Sequence, residues 1–473
     1  MKFKNNNTEI LMSALSEDGQ INQYEDIMSW IHDRRDSIKV TIEQVPLTEL
    51  DNWNLDEKTG DIVHTSGKFF SIEGLGIKTD WGNVSEWEQP IINQPEVGIL
   101  GILSKKINGV LHFLMQAKIE PGNINTVQIS PTLQATKSNY TQVHKGNKPL
   151  FLDYFNGTNK VEVLLDQLQS EQGGRFLKKR NRNIIIKIKD SEDIEFSKDF
   201  IWLTLKQIKD LMREDNIVNM DTRTVISGIS YDYDPQLLDD SSFKDNMVLL
   251  SALETESSAL SFNSIISWTT NLKSIYELSI EKIPLRYARD WVYTNEEIYH
   301  ETRKYFSVIG VRSTILNREV VSWDQPMIKP AQEGLMAFII KPINGLLHFL
   351  VQAKLEVGNF DIIEFAPTVQ CLTGNYRKGS SEYSVPFINE VLNASSNKII
   401  YSSLQSEEGG RFYFEQNKNI LILEDDSFNP KLPDNYCWMS FGQVLQFIQF
   451  NNYFNIAARS LISAISPIDL DEN

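Results

Sequence analysis

The chain has 473 residues, 41% of them hydrophobic and 23% charged; these are globular values, and the length exceeds one ordinary core, so two or more domains are expected. A formal net charge of −17 argues against nucleic acid or an anionic membrane surface as the main partner. No apolar run is long enough to span a membrane, M-K-F-K-N-N-N-T-E at the start has no apolar signal region, and two cysteines, Cys371 and Cys437, lack metal-ligand spacing. A reducing, cytoplasmic setting is the expectation.

In chain order, L-M-S-A-L at 11–15 opens a helical pattern and returns as L-L-S-A-L at 249–253. A second helical segment carries Ile27, Trp30 and Ile31, with Ile265 and Trp268 in its copy. Ile38, Val40 and Ile42 alternate with Lys39, Thr41 and Glu43, the pattern of a half-buried strand. Pro46 and Trp53 return as Pro284 and Trp291, and H-T-S-G-K-F-F-S-I-E-G-L (64–75) faces H-E-T-R-K-Y-F-S-V-I-G-V (300–311). W-E-Q-P at 87–90 faces W-D-Q-P at 323–326.

The strongest repeat comes next. V-L-H-F-L-M-Q-A-K (110–118) and L-L-H-F-L-V-Q-A-K (346–354) agree at seven of nine positions. Strand periodicity puts Leu111, Phe113, Met115 and Ala117 on a buried face and His112, Leu114, Gln116 and Lys118 on the other, a wall suited to a polar pocket. Further on, Q-S-E-Q-G-G-R-F (169–176) returns as Q-S-E-E-G-G-R-F (405–412). Ile184–Ile188 reads as a strand, and Thr204 as the cap of a helix carrying Leu205, Ile208, Leu211 and Met212. Each copy closes on an Asn and an Arg four residues apart, Asn219 with Arg223 and Asn455 with Arg459.

This is a duplicated α+β domain: 1–230, a linker at 231–246 rich in Asp, Ser and Pro, and 247–473. Polar residues kept in one copy alone point to a site. Glu73 faces Ile309, Ser130 faces Ala366, Thr136 faces Leu372, His144 faces Ser380, and Asp221-Thr222 faces Ala457-Ala458. Arg175, Lys178, Lys179, Arg180 and Arg182 face Arg411, Phe414, Glu415, Gln416 and Lys418. The first copy therefore reads as a working anion site, and the second as degenerate or accessory.

S-G-K-F-F-S-I-E-G-L, Q-P-I-I-N-Q-P-E-V-G-I-L-G, L-M-Q-A-K-I-E-P-G-N, S-P-T-L-Q-A-T-K-S-N-Y-T, L-Q-S-E-Q-G and V-N-M-D-T-R-T-V resemble the NDP-hexose 2,3-dehydratase family over essentially the whole chain. The resemblance implies tandem Nudix-like domains as a pseudo-twofold pair and a homodimer. The implied substrate is TDP-4-keto-6-deoxyglucose, which loses water across C2–C3 in the making of 2,6-dideoxysugars; a partner 3-ketoreductase takes the 3,4-diketo product. The Nudix hydrolase box is absent, so metal-dependent diphosphate cleavage is not expected. A base at C3, donors at the C4 oxygen and an acid near C2 suffice, since the ketone is the electron sink; no cofactor or metal is expected. Base and acid each supply about 10²–10⁴ in rate.

Several side chains are candidates, each with a plainer reading beside it. Glu73 is a base or acid whose pKa burial would raise, or a carboxylate paired with Lys68 or an arginine. His64 and His112 recur as His300 and His348, which favours structural hydrogen bonding over acid–base work. His144 acts near C2 or C3, or is a solvated loop residue. Lys118 polarises the C4 oxygen or makes a structural salt bridge; Tyr140 donates to the sugar or fills a core gap. Arg175, Arg180 and Arg182 form a diphosphate clamp or an exposed basic face. Trp87 stacks on thymine, or serves the core as Trp323 does. Lys68, Gln116, Ser130, Asn139, Thr141 and Arg223 complete the substrate-binding set, with Asp221 and Arg223 expected to pair. Two other functions compete: a nucleotide-sugar-binding protein without turnover, and a keto-sugar isomerase or epimerase.

Overall fold

The repeated nonapeptide lies within a ten-residue strand in each copy, Val110–Ile119 and Leu346–Leu355. Each is the second arm of a hairpin whose turn is Asn-Gly, Asn108-Gly109 at φ 50° and 87° and Asn344-Gly345 at 52° and 82°, the left-handed pair that a tight two-residue turn requires. The computed structural model describes residues 7–17, 21–137, 148–231, 246–316, 321–373 and 385–467.

Both repeats combine helices with sheets. In each, a seven-stranded mixed sheet is built on that hairpin. Gly98–Ile107 pairs in parallel with Arg180–Lys187 and antiparallel with Leu133–Ala135, and Val110–Ile119 pairs with Phe200–Thr204 and Val127–Ser130. The sheet is covered on both sides. Leu111, Phe113 and Met115 join one core, while Leu114 joins another with Trp202 and Phe155. The polar wall expected on the second face is thus confined to its end: His112 is fully buried, and only Gln116 and Lys118 keep exposed surface. Thr204 caps Leu205–Leu211 by accepting from the Gln207 amide at 3.2 Å.

The smaller, five-stranded antiparallel sheets do not respect the repeats. Val40–Val45 of the first repeat pairs with Ser307–Ile315 of the second, and Leu278–Ile283 of the second pairs with Ser71–Thr79 of the first. The copies have swapped their equivalent edge strands, so the boundary between the repeats in sequence is not a boundary in space. One core mixes both copies, with Leu47, Trp53 and Phe70 packed among Leu285, Ile298 and Phe306.

A second junction is a clasp. Gly122 N donates to Gly409 O and Gly358 N donates to Gly173 O, both at 2.7 Å. A Cβ on Gly122 would run into the carbonyl oxygen of Phe412, and one on Gly358 into that of Phe176, so glycine is required by the approach of the two backbones. Phe176 and Phe412 meet edge to face, 5.8 Å between ring centres. Beside the clasp, helices Met220–Ser227 and Ile456–Ser463 pack together. Arg223 donates to Ser460 Oγ at 2.6 Å and to the Ser406 carbonyl, while Arg459 donates to Thr224 Oγ1 at 3.1 Å and to Ser170 O at 2.6 Å.

Candidate active site

Few of the expected site residues converge. Glu73 is 8% exposed and accepts from Ser71 Oγ at 2.6 Å and Asn93 Nδ2 at 3.1 Å, and Lys282 of the second repeat lies 3.0 Å away. Burial pushes its pKa up, but Ser71, Lys282 and Asn93 together bring it below the usual value. The raised pKa expected of it is therefore corrected: three donors outweigh desolvation. Lys68 is exposed and is not its ion-pair partner.

His64 contacts Ser66 Oγ at 2.8 Å and packs edge-on against Trp53 and Phe69; His300 repeats this with Thr302, Trp291 and Tyr305. His112 Nδ1 bonds Val110 O at 2.9 Å, and burial lowers its pKa; His348 does the same with Leu346 O. These paired geometries hold turns and strand starts. Trp87 donates to Gln89 within a local core, as Trp323 does to Gln325. Ser130 is buried with its hydroxyl on Pro131 O, and Gln116 pairs across to it in the sheet.

The three arginines are engaged with separate partners rather than forming one clamp. Arg175 lies 4.1 Å over the Phe306 ring, Arg180 4.7 Å over Phe360, and Arg182 forks onto Asp166 at 2.7 and 2.6 Å. Arg223 ties the repeats together, and its nitrogens donate to Ser406, Ser460 and Asn219 rather than to the expected Asp221. Asn139, Tyr140, Thr141 and His144 lie outside the described residues.

What the fold does assemble is a buried ionic cluster at the polar end of the hairpin. Lys118 donates to Gln134 O at 3.3 Å, Gln134 Nε2 to Glu120 at 2.9 Å, and Asn181 to Glu171 at 2.7 Å. Asp221, on the first turn of Met220–Ser227, is 2% exposed; burial first, then Glu408, Glu171 and Glu120, raise its pKa well above the carboxylate range, against Lys118. Burial also raises Glu171 and lowers Lys179, whose ammonium donates to Glu96 O. Two members, Glu408 and Arg411, come from the second repeat across the clasp.

The second repeat has a matching cluster. Gln370 donates to Glu356 at 3.0 Å, Asn417 to Glu407 at 2.5 Å, and Lys354 sits 3.7 Å from Glu356. Burial first, then Glu415, push the Glu407 carboxyl up to about 8. Where the first cluster has Lys179 and Asp221, the second has Glu415 and Ala457. A shallow groove of about 790 Å³ lined by Lys78, Asp80, Glu86, Tyr276 and Glu277 lies beside a swapped strand; these are mostly exposed side chains, unlike the buried carboxyls of the clusters.

The sequence profile of the NDP-hexose 2,3-dehydratases matches residues 24–229 and again 262–465. The chain belongs to the NDP-hexose 2,3-dehydratase family. Three relatives bear the name dTDP-4-dehydro-6-deoxy-α-D-glucopyranose 2,3-dehydratase. The one from Saccharopolyspora spinosa is 42% identical over 98% of this chain and 96% of its own length; that from Amycolatopsis orientalis is 42% identical over 97% and 93%. The one from Streptomyces violaceoruber is 40% identical over 93% and 96%. As a 2,3-dehydratase of nucleotide sugars, a hydro-lyase, the chain needs proton donors and acceptors of opposed pKa in one place, and the first cluster has raised carboxyls beside a lowered lysine. Glu120 and Glu171 were not among the expected residues; both recur, as Glu356 and Glu407, and so carry no asymmetry between the copies. Sequence reasoning passed over Glu408 because only first-copy reactive groups were sought; the pair Gln172 and Glu408 carried the signal.

Proposed function

We propose that the chain is a dTDP-4-keto-6-deoxyglucose 2,3-dehydratase, eliminating water across C2–C3 through a C4 enolate, with its chemistry at the first cluster. The observation that carries this is the asymmetry at matched positions: Lys179 and Asp221 against Glu415 and Ala457. Lys118 donates to the C4 oxygen, where a positioned donor contributes about 10²–10³ in rate. Lys179, whose lowered pKa suits a base, removes the C3 proton. Asp221, whose pKa burial and its acidic neighbours raise, is the donor to a sugar hydroxyl. Tyr140 and His144 follow closely on the strand that carries Gln134 and remain further acid–base groups of this proposal.

The accompanying fold reading is a pseudo-twofold pair of Nudix-like halves, supported by a mixed sheet that, among the described residues, has one parallel strand pair in each repeat. A homodimer, a cytoplasmic location and a 3-ketoreductase that consumes the diketo product belong to the same proposal; the two free thiols, Cys371 and Cys437, support the compartment. Incubation with dTDP-4-keto-6-deoxyglucose in deuterium oxide is the test. Loss of one water supports the dehydratase. Solvent deuterium in an intact sugar supports an isomerase, and binding with neither supports a carrier.

A further inference from the structure

At one clasp position the reactive group belongs to the second copy, Glu408 where the first has Gln172. The backbone there is fixed. Glu408 O accepts from the amides of Arg411 at 3.2 Å and Phe412 at 3.0 Å, and Gly409 O accepts from Gly122 of the first repeat. A methyl group on Gly410 would meet the carboxylates of both Glu408 and Glu120, so the second-repeat side chain reaches the first cluster. Asp221, Glu171 and Glu120 are 2%, 6% and 8% exposed, whereas Glu408 keeps more surface open. Among these four acidic residues it is the most open to a bound sugar. Burial, with Glu120 and Glu171 beside it and Arg411 opposing, holds its proton to about 7.

We propose that Glu408, contributed by the second repeat, protonates the hydroxyl leaving C2 of a sugar bound at the first cluster; this rests on the dehydratase reading above. The C3 proton passes to the base and its electron pair forms C3=C4 with charge on the C4 oxygen. That pair returns to form C2=C3 as the C2–O bond breaks. The departing oxygen takes the Glu408 proton and leaves as water, and the 3-hydroxy enone tautomerises to the diketone. Glu408, left as carboxylate, regains a proton from solvent or the base. Gln172, at the matching place, has no acidic proton to give. The second repeat therefore completes the working site.

The test is Glu408→Gln in the full chain, with thermal unfolding as a check on folding and dTDP-4-keto-6-deoxyglucose supplied in deuterium oxide. Water loss is expected to fall by roughly 10²-fold. Deuterium still enters C3 of the recovered sugar, because base and enolate stabilisation remain. Glu408→Asp, which keeps an acidic proton, is expected to restore part of the water loss, and it reads the same partition if the glutamine variant unfolds early. Water loss within a few-fold of the parent, or water loss and deuterium entry falling together in a folded variant, overturns the assignment. A parent chain that does not dehydrate the sugar, with or without exchange, refutes the dehydratase reading itself.

Discussion

Lys282 of the second repeat sits 3.0 Å from Glu73 of the first, and 3.1 Å from Asp61. The lysine arrives on the swapped strand Leu278–Ile283, so a residue that the sequence pattern nominated for chemistry instead anchors the crossing of the two repeats. Glu73→Gln is expected to cost about 1 kcal/mol of stability, with the half-exposed Lys282 contributing modestly, and to leave kcat within a few-fold. The native pKa of Glu73 is lowered, so its contribution is present above the unfolded value of about 4.3 and is lost as pH falls through the folded value. Urea unfolding at pH 7 and pH 3 checks this: the deficit of the variant shrinks at the lower pH.

The paired arginines predict mutual dependence of the repeats. Arg223→Met leaves the Ser406 carbonyl and Ser460 hydroxyl without this donor in a buried junction, and Arg459→Met does the same to Ser170 and Thr224. Each is expected to cost about 3 kcal/mol in chemical denaturation, with similar values for the two. A small loss from either would show that the helix contact, not the arginines, holds the junction.

Turnover separates the two clusters. Lys179→Met is expected to lower kcat about 10²-fold, while Glu415→Gln at the matching position leaves it within a few-fold. Steady-state rates on dTDP-4-keto-6-deoxyglucose decide the matter, and equal losses would contradict a single working site.

Glu364 and its counterpart Gln128 make matching hydrogen bonds: Ser170 Oγ donates to Glu364 at 2.7 Å, and Ser406 Oγ donates to Gln128 Oε1 at 3.1 Å. Burial pushes the Glu364 carboxyl up to about 8. With a native pKa above the unfolded one, stability is lost as pH rises from about 4.3 through about 8. Glu364→Gln, the choice the first repeat already makes, is expected to stabilise the protein on the order of 2 kcal/mol at pH 9 and little at pH 5. Denaturant midpoints at those two pH values measure it.

The repeated nonapeptide strand and the Thr204 cap were legible in the sequence because each is local, set by periodicity or by a side chain reaching three residues along, and the duplication was legible from the matched motifs. The strand swap was not. Val40–Val45 alternates half-buried and exposed positions, and Leu278–Ile283 shows the same pattern. Alternation specifies a face and not a neighbour, and two similar edges offer each strand two acceptable partners. The proposed catalytic cluster was partly hidden for a related reason. Glu120 and Glu171 recur in both copies and looked architectural, and Glu408 lies on the copy taken to be inert. The contrast of Glu408 with Gln172 is present in the sequence, but the cluster that Glu408 joins is set by the clasp, which the sequence does not state.

The swapped strands constrain how this protein can be recombined with its relatives. A crossover placed in the stretch between the repeats would join two halves whose edge strands were selected against other mates, misaligning Leu278–Ile283 on a foreign Ser71–Thr79. A hybrid that preserves those seams must carry each arm together with the sheet that receives it, so the heritable module here is the interlocked pair.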